Sequence, residues 1–198
     1  HETIKPIIEK RSKDSEAFQK ARLEHCVPSP YAISKLASEL FIQTFGEKYS
    51  LSYVILRYAN VYGPRQSLES GSVIPSFISS MLSNKKPNIY GDGKQTRDFV
   101  YVEDVATANV CAIDWKDGIY NIGSGKEASV IEIFYKIKRL LGSEIEPKFL
   151  EPRNEIKRIF VSINRAKAMG WEPKTELEEG LEKTLNYFME RLKQKRKD

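Results

Sequence analysis

The chain has 198 residues, 40% of them hydrophobic and 11% aromatic, with 9 Pro and 11 Gly, which suits one large globular domain or one and a half small ones. No apolar run approaches the ~18 residues of a membrane-crossing helix and no signal peptide is visible, so neither a membrane protein nor a secreted one is expected. Much of the formal net charge of +5 sits in residues 191–197, where cations suit a helix end, and elsewhere Lys and Arg are interleaved with acids, which argues against nucleic-acid binding.

Residues 1–28 form an atypical polar segment that starts at His1 without a Met, as in a piece cut from a longer reading frame, with at most a short helix over residues 15–24. His1, His25, Cys26 and the distant Cys111 have no metal-ligand spacing. No metal is expected, and the expected compartment is the reducing cytoplasm. From Tyr31 to Tyr49 the residues Leu36, Ala37, Leu40, Phe41, Thr44 and Phe45 recur at helical spacing, with Gly46 near the end.

This helix opens with Tyr31 and Lys35, four residues apart and therefore on one face, about 6 Å apart along the axis. A phenol normally titrates near ~10 and is a poor base at neutral pH. An ammonium held about 5 Å away favours phenolate by roughly 3 kcal/mol at an effective dielectric of about 20. Such a Tyr can take a proton from a substrate hydroxyl while hydride leaves the same carbon. Any two helical residues can stand four apart, so the spacing alone is a weak signal.

Residues 52–58 (S-Y-V-I-L-R-Y) read as a buried strand, followed by a turn-rich loop over 60–65 and a flexible stretch over 67–72. Residues 73–84 read as a helix, 86–90 as a short strand, 91–94 as a turn and 97–101 as a second strand. A helix over 103–114 and a strand over 118–122 lead to a helix over 130–141 that Ser129 can cap. From Phe149 the chain reads as irregular, with a short helix over 163–169 and a long one over 176–195. Strands alternating with helices of this length imply an α/β class with crossover connections. Gly123-Ser124-Gly125 lies between a strand and a helix but lacks the third Gly of G-x-G-x-x-G, and Gly91-x-Gly93 has no helix after it. Both read as turns, leaving no dinucleotide fingerprint.

An ordered series of motifs carries a resemblance. It comprises Ser29-Pro30-Tyr31-Ala32-Ile33-Ser34-Lys35, Leu56-Arg57-Tyr58-Ala59-Asn60-Val61-Tyr62-Gly63-Pro64-Arg65-Gln66, Val73-Ile74-Pro75, residues 89–105 (I-Y-G-D-G-K-Q-T-R-D-F-V-Y-V-E-D-V), Tyr120-Asn121-Ile122-Gly123-Ser124-Gly125 and Gly170-Trp171-Glu172-Pro173. The series resembles the C-terminal half of extended short-chain dehydrogenase/reductases that act on nucleotide-diphosphate sugars, closest to UDP-glucose 4-epimerases. The resemblance implies that residues 29–198 hold the C-terminal part of a Rossmann-like parallel sheet plus a smaller mixed α/β substrate-binding subdomain, the N-terminal NAD-binding half being absent. It implies Tyr31 as acid/base at sugar C4, with hydride passing to NAD⁺ and returning to the other face of a 4-keto sugar. Lys35 would favour the phenolate and hold the nicotinamide ribose, with Tyr58 near the nicotinamide.

For the UDP-sugar, the resemblance places Asn60 on the sugar-nucleotide and Arg97 on the diphosphate. Val73, Asn88 and Tyr90 fall around the uridine, and Arg153 and Glu155 on phosphate and ribose. The late Arg-x-Gly-acid run of the family is one residue shorter here (Arg153-Asn154-Glu155), and no catalytic Ser or Thr is assigned. The parent is expected to be a homodimer paired partly through the Tyr-bearing helix, and this chain alone is expected to be inactive. A 4,6-dehydratase or UDP-sugar decarboxylase of the same family, or a non-catalytic nucleotide-sugar-binding fragment, are the alternatives. The apolar face of helix 31–49, without a sheet to pack on, predicts that the purified chain is poorly soluble and self-associates. Sedimentation velocity over a concentration series measures this; a monomer with a sharp, reversible unfolding transition counts against it.

Overall fold

The structure, a computed structural model, describes residues 30–195. The polar segment 1–28, the helix expected in it, and Ser29 lie outside the described residues. The chain divides into two compact units, residues 1–51 and 52–198.

In the first unit, α1 (Pro30–Tyr49) begins with Pro at a position where the missing N–H costs nothing. It ends where Ser50 turns to φ 53° and the Leu51 N–H reaches back to Gly46 O at 3.1 Å, a left-handed cap that satisfies a terminal carbonyl. Leu36, Leu40, Phe41 and Phe45 are exposed, while Glu39 and Gly46 are buried.

The second unit runs β1 (Val54–Tyr58), β2 (Asn60–Tyr62), α2 (Val73–Leu82), β3 (Asn88–Tyr90), β4 (Thr96–Arg97), β5 (Phe99–Tyr101) and α3 (Val102–Cys111), which tightens into a 3₁₀ turn over Ala112–Asp114. It continues with β6 (Gly118–Ile122), β7 (Ala128–Ser129), α4 (Val130–Leu140), β8 (Lys148–Leu150), α5 (Asn164–Ala168) and α6 (Leu177–Lys195). Three strand pairs are parallel: β1 with β6 (Val54 opposite Gly118), β2 with β5 (Asn60 opposite Phe99), and β3 with β8 (Asn88 opposite Lys148). The pair β4–β7 is antiparallel. Parallel pairs joined through helices are what the alternating pattern implies.

Two apolar clusters hold the unit. One packs Phe77 and Ile78 of α2 against Phe134 and Ile137 of α4 and Leu181 and Leu185 of α6. The other gathers Val100, Val105, Trp115, Tyr120, Ile122 and Trp171 around α3 and β6. Asp104, buried in α3, ties the approach to α6 to this second cluster. Its carboxylate accepts the Lys174 and Thr175 amides at 3.0 and 3.1 Å, and its carbonyl accepts Trp171 Nε1 at 3.1 Å.

Three local expectations change. The first half of the loop expected over 60–65 is strand β2, because Val61 and Tyr62 pair with β5 despite the turn formers that follow. The strand expected over 97–101 is broken at Asp98, which turns out of the ladder so that Arg97 and Phe99 belong to different pairs. The region expected to be irregular from Phe149 contains β8, which gains its partner β3 from some 60 residues earlier, a separation no local pattern reveals. No helix among the described residues is long and apolar enough to cross a membrane.

Ser129 caps α4 in a reciprocal box. The Glu132 amide donates to Ser129 Oγ at 3.3 Å, and the Ser129 amide and hydroxyl donate to Glu132 Oε2 at 2.7 Å each. Those bonds, the backbone one foremost, lower the Glu132 carboxyl from its ordinary value. A lowered carboxylate contributes stability that is present in full above the ordinary carboxylate range and lost as pH falls through its folded value. Ser129→Ala is expected to cost about 1 kcal/mol at neutral pH. In urea titrations the gap between wild type and Glu132→Gln should shrink from pH 7 to pH 3; an unchanged gap would reject the ionic part of the cap.

Candidate active site

The second unit is organised around Asp98, which is fully buried. Its Oδ1 accepts the Ser124 amide and hydroxyl at 2.7 Å each, and its Oδ2 accepts the Gly125 amide at 3.0 Å. Its carbonyl accepts the Asn60 amide at 2.9 Å and Asn60 Nδ2 at 3.0 Å. The turn Gly123-Ser124-Gly125 is thus an anion-binding nest filled by the protein's own carboxylate. Gly123 is required by close approach: a Cβ there would lie 2.6 Å from Asp98 Oδ2 and 2.5 Å from Val161 Cγ2.

Beside this anchor lies a cleft of about 280 Å³, lined by Asn60 and Tyr62 of β2, the first turn of α2 (Ser72–Pro75), Gln66, Arg97 and Phe99. Arg97 is the lining residue that carries a charge. The Val73 and Ile74 amides belong to the opening turn of a helix, where backbone donors lack intrahelical acceptors and the dipole favours anions. Tyr62 supplies no base here: burial, reinforced by Tyr101 and Asp104, pushes its phenol well above the ordinary value, and its hydroxyl donates to Leu177 O at 3.2 Å.

Arg97 leads out of the cleft into a polar chain. Its Nη2 meets Glu155 Oε2 at 2.6 Å, with the side chains 15% and 31% exposed, and its Nη1 donates to Thr96 O at 2.8 Å. Glu155 Oε1 accepts Gln95 Nε2 at 3.3 Å, and the same nitrogen donates to Tyr90 O at 3.1 Å. The Arg153 guanidinium lies over the Tyr90 ring, 3.4 Å from its centroid. Asn60, Val73, Arg97, Glu155, Tyr90 and Arg153 are therefore joined through the cleft and this chain. Arg153 and Glu155 do not pair with each other, and Asn88 stands exposed on β3, two residues before Tyr90.

Tyr58 lies apart from this group. At the end of β1, half exposed, it donates from its hydroxyl to Asn109 Oδ1 at 2.8 Å. Tyr31 and Lys35 belong to the first unit, where α1 sets the Lys35 ammonium 5.6 Å from the Tyr31 ring centroid, with Tyr31 70% exposed. No His, Cys, Asp or Glu group among the described residues is arranged to hold a metal ion.

A model of the NAD dependent epimerase/dehydratase family matches residues 12–123, more than half of the chain. The chain belongs to this family. A provisionally described UDP-glucose 4-epimerase of Methanocaldococcus jannaschii is 47% identical over 162 residues, covering 81% of this chain and 53% of the relative. The human dTDP-D-glucose 4,6-dehydratase is 37% identical over 173 residues, covering 82% of this chain and 49% of the relative. Among solved structures, the UDP-glucose 4-epimerase of Thermotoga maritima with UDP-glucose superposes with a TM-score of 0.81 at 40% identity, covering 83% of this chain and 55% of that one. The chain spans about half the length of the curated relatives it matches. The parallel strand pairs and this likeness agree with the expected α/β, Rossmann-like class.

Residues of the epimerase/dehydratase chain that the sequence reading placed in motifs but gave no site role are Gln66 and Phe99 in the cleft, Gln95 in the polar chain, and Asp98 beneath both. An acid between a cation and an aromatic residue gives no sign of burial, and its partners lie 26 or more residues away. Asp98→Ala leaves the Ser124 and Gly125 amides without acceptors and is expected to cost about 3 kcal/mol or more. Chemical denaturation measures it; a loss below about 1 kcal/mol would show that water replaces the carboxylate.

Proposed function

We propose that residues 29–198 are the catalytic-helix and substrate-binding portion of an NAD-dependent epimerase acting at C4 of a nucleotide-diphosphate sugar of the UDP-glucose/UDP-galactose type. The observation that carries this reading is the cleft whose walls combine Arg97 with a helix N-terminal turn and lead on to Glu155, Tyr90 and Arg153. A diphosphate favours forked guanidinium donors and helix amides, and a ribose diol favours a carboxylate acceptor. In this reading Arg97 meets the diphosphate, while Arg153 and Glu155 serve phosphate and ribose. Val73, Asn88 and Tyr90 surround the uridine, and Asn60, oriented by Asp98, faces the sugar-nucleotide.

Tyr31 takes the C4 hydroxyl proton and later returns it, and Lys35 favours the phenolate that does so. Bound NAD supplies the hydride acceptor and donor. Tyr31, Lys35 and Tyr58 are the residues proposed for its nicotinamide end; the glycine turn Gly123-Ser124-Gly125, which resembles a phosphate cradle, does not serve its pyrophosphate, because it already holds Asp98. A homodimer is proposed for the parent, and the cytoplasm as its compartment.

The likeness to the human 4,6-dehydratase favours one second reading, a dTDP-sugar dehydratase with the same cleft. Calorimetric titration of the chain with UDP-glucose, dTDP-glucose and NAD⁺ tests both. UDP-glucose is expected to bind, with affinity at least tenfold weaker in Arg97→Ala, since a lost hydrogen bond to a charged group is worth about 1.5–3 kcal/mol. Preference for dTDP-glucose would move the assignment to the second reading, and binding of neither sugar would remove both.

A further inference from the structure

We infer that Gln95 is a positioning residue for the anion site, holding Glu155 so that Glu155 in turn aims the Arg97 guanidinium at the cleft; this rests on the nucleotide-sugar reading above. Gln95 is itself buried, and its backbone is fixed on a rigid frame, since its carbonyl accepts the Val130 amide at the start of α4 at 3.1 Å. The next residue, Thr96, donates its amide to Lys157 O at 2.9 Å and forms a bridge with Arg158. From that frame Gln95 Nε2 reaches two acceptors, Tyr90 O at 3.1 Å and Glu155 Oε1 at 3.3 Å. Both partners are acceptors only, so the amide orientation is determined by chemistry.

Glu155 needs such a hold. It lies between the end of β8 at Leu150 and the bridge at Arg158, in a stretch without regular structure. Its two oxygens are divided between the two residues that flank Thr96: Oε1 to Gln95 and Oε2 to Arg97. A carboxylate held at one oxygen by a rigid amide presents the other in one direction, and a planar guanidinium follows that direction. Gln95 also bonds the carbonyl of Tyr90, the residue whose ring Arg153 covers. One buried amide thereby couples the cation in the cleft to the segment that brings the second cation.

The test is a double-mutant cycle on the 198-residue chain, read by calorimetric titration with UDP. Gln95→Met keeps length and removes both donors, and is expected to weaken UDP binding about tenfold. In a Glu155→Ala background the same substitution should have no further effect, since the link it acts through is gone. Gln95→Glu, which sets a second carboxylate against Glu155, should follow the same pattern and serves if Gln95→Met does not fold. UDP binding unaffected by either substitution, or weakened as much in the Glu155→Ala background as in the wild-type one, overturns the positioning role while leaving the nucleotide reading standing. A wild-type chain that does not bind UDP overturns both.

Discussion

The walls of the cleft at Asn60, Arg97 and Phe99 are all fixed by the buried residue Asp98. A buried charge is tolerated only where fixed dipoles replace water, and here the amides of Ser124 and Gly125 and the Ser124 hydroxyl do so. The same residue uses its carbonyl to hold both the backbone and the side chain of Asn60. One residue thus fastens the β1–β2 junction, the end of β6 and the β4–β5 break at a common point. Because Asp98 leaves the ladder to make these bonds, Arg97 before it and Phe99 after it both reach the cleft from separate strands.

The polar chain beyond Arg97 follows from that placement. A lone guanidinium, largely buried, needs an anionic partner, and Glu155 meets it from 58 residues further along. Gln95 and Tyr90 complete the set from the strand and turn before it. The cleft therefore has one cation whose direction is set by its neighbours, while Arg153, stacked on Tyr90, lies at the far end of the same chain of contacts.

The Tyr31–Lys35 pair answers to a different constraint. Its geometry is set within one helix, which puts the ammonium 5.6 Å from the phenol ring without any help from distant residues. The apolar side chains of that helix, Leu36, Leu40, Phe41 and Phe45, are exposed.

Sequence alone determined what depends on neighbours within a few residues. The helix over 31–49, the Ser129 cap, the strand at 118–122 and the long final helix follow from period, capping chemistry and turn residues, and the motif series from Ser29 to Pro173 was sufficient to indicate the family. Arg97, Asn60 and Tyr90 could be named as candidates from that series, and Arg153 and Glu155 from the resemblance it carries. Only the tertiary structure decided how they meet: that Glu155 pairs with Arg97 rather than with Arg153, that Arg153 stacks on Tyr90, and that Gln95 joins them. It also decided that Asp98 breaks a strand the sequence would have continued and that residues 148–150 find a partner in 88–90. The physical reason is range. Periodicity and caps are written in dihedral preferences between adjacent turns, whereas a buried carboxylate or a strand pairing is fixed by groups dozens of residues away, whose arrival at the same place is a property of the packed fold.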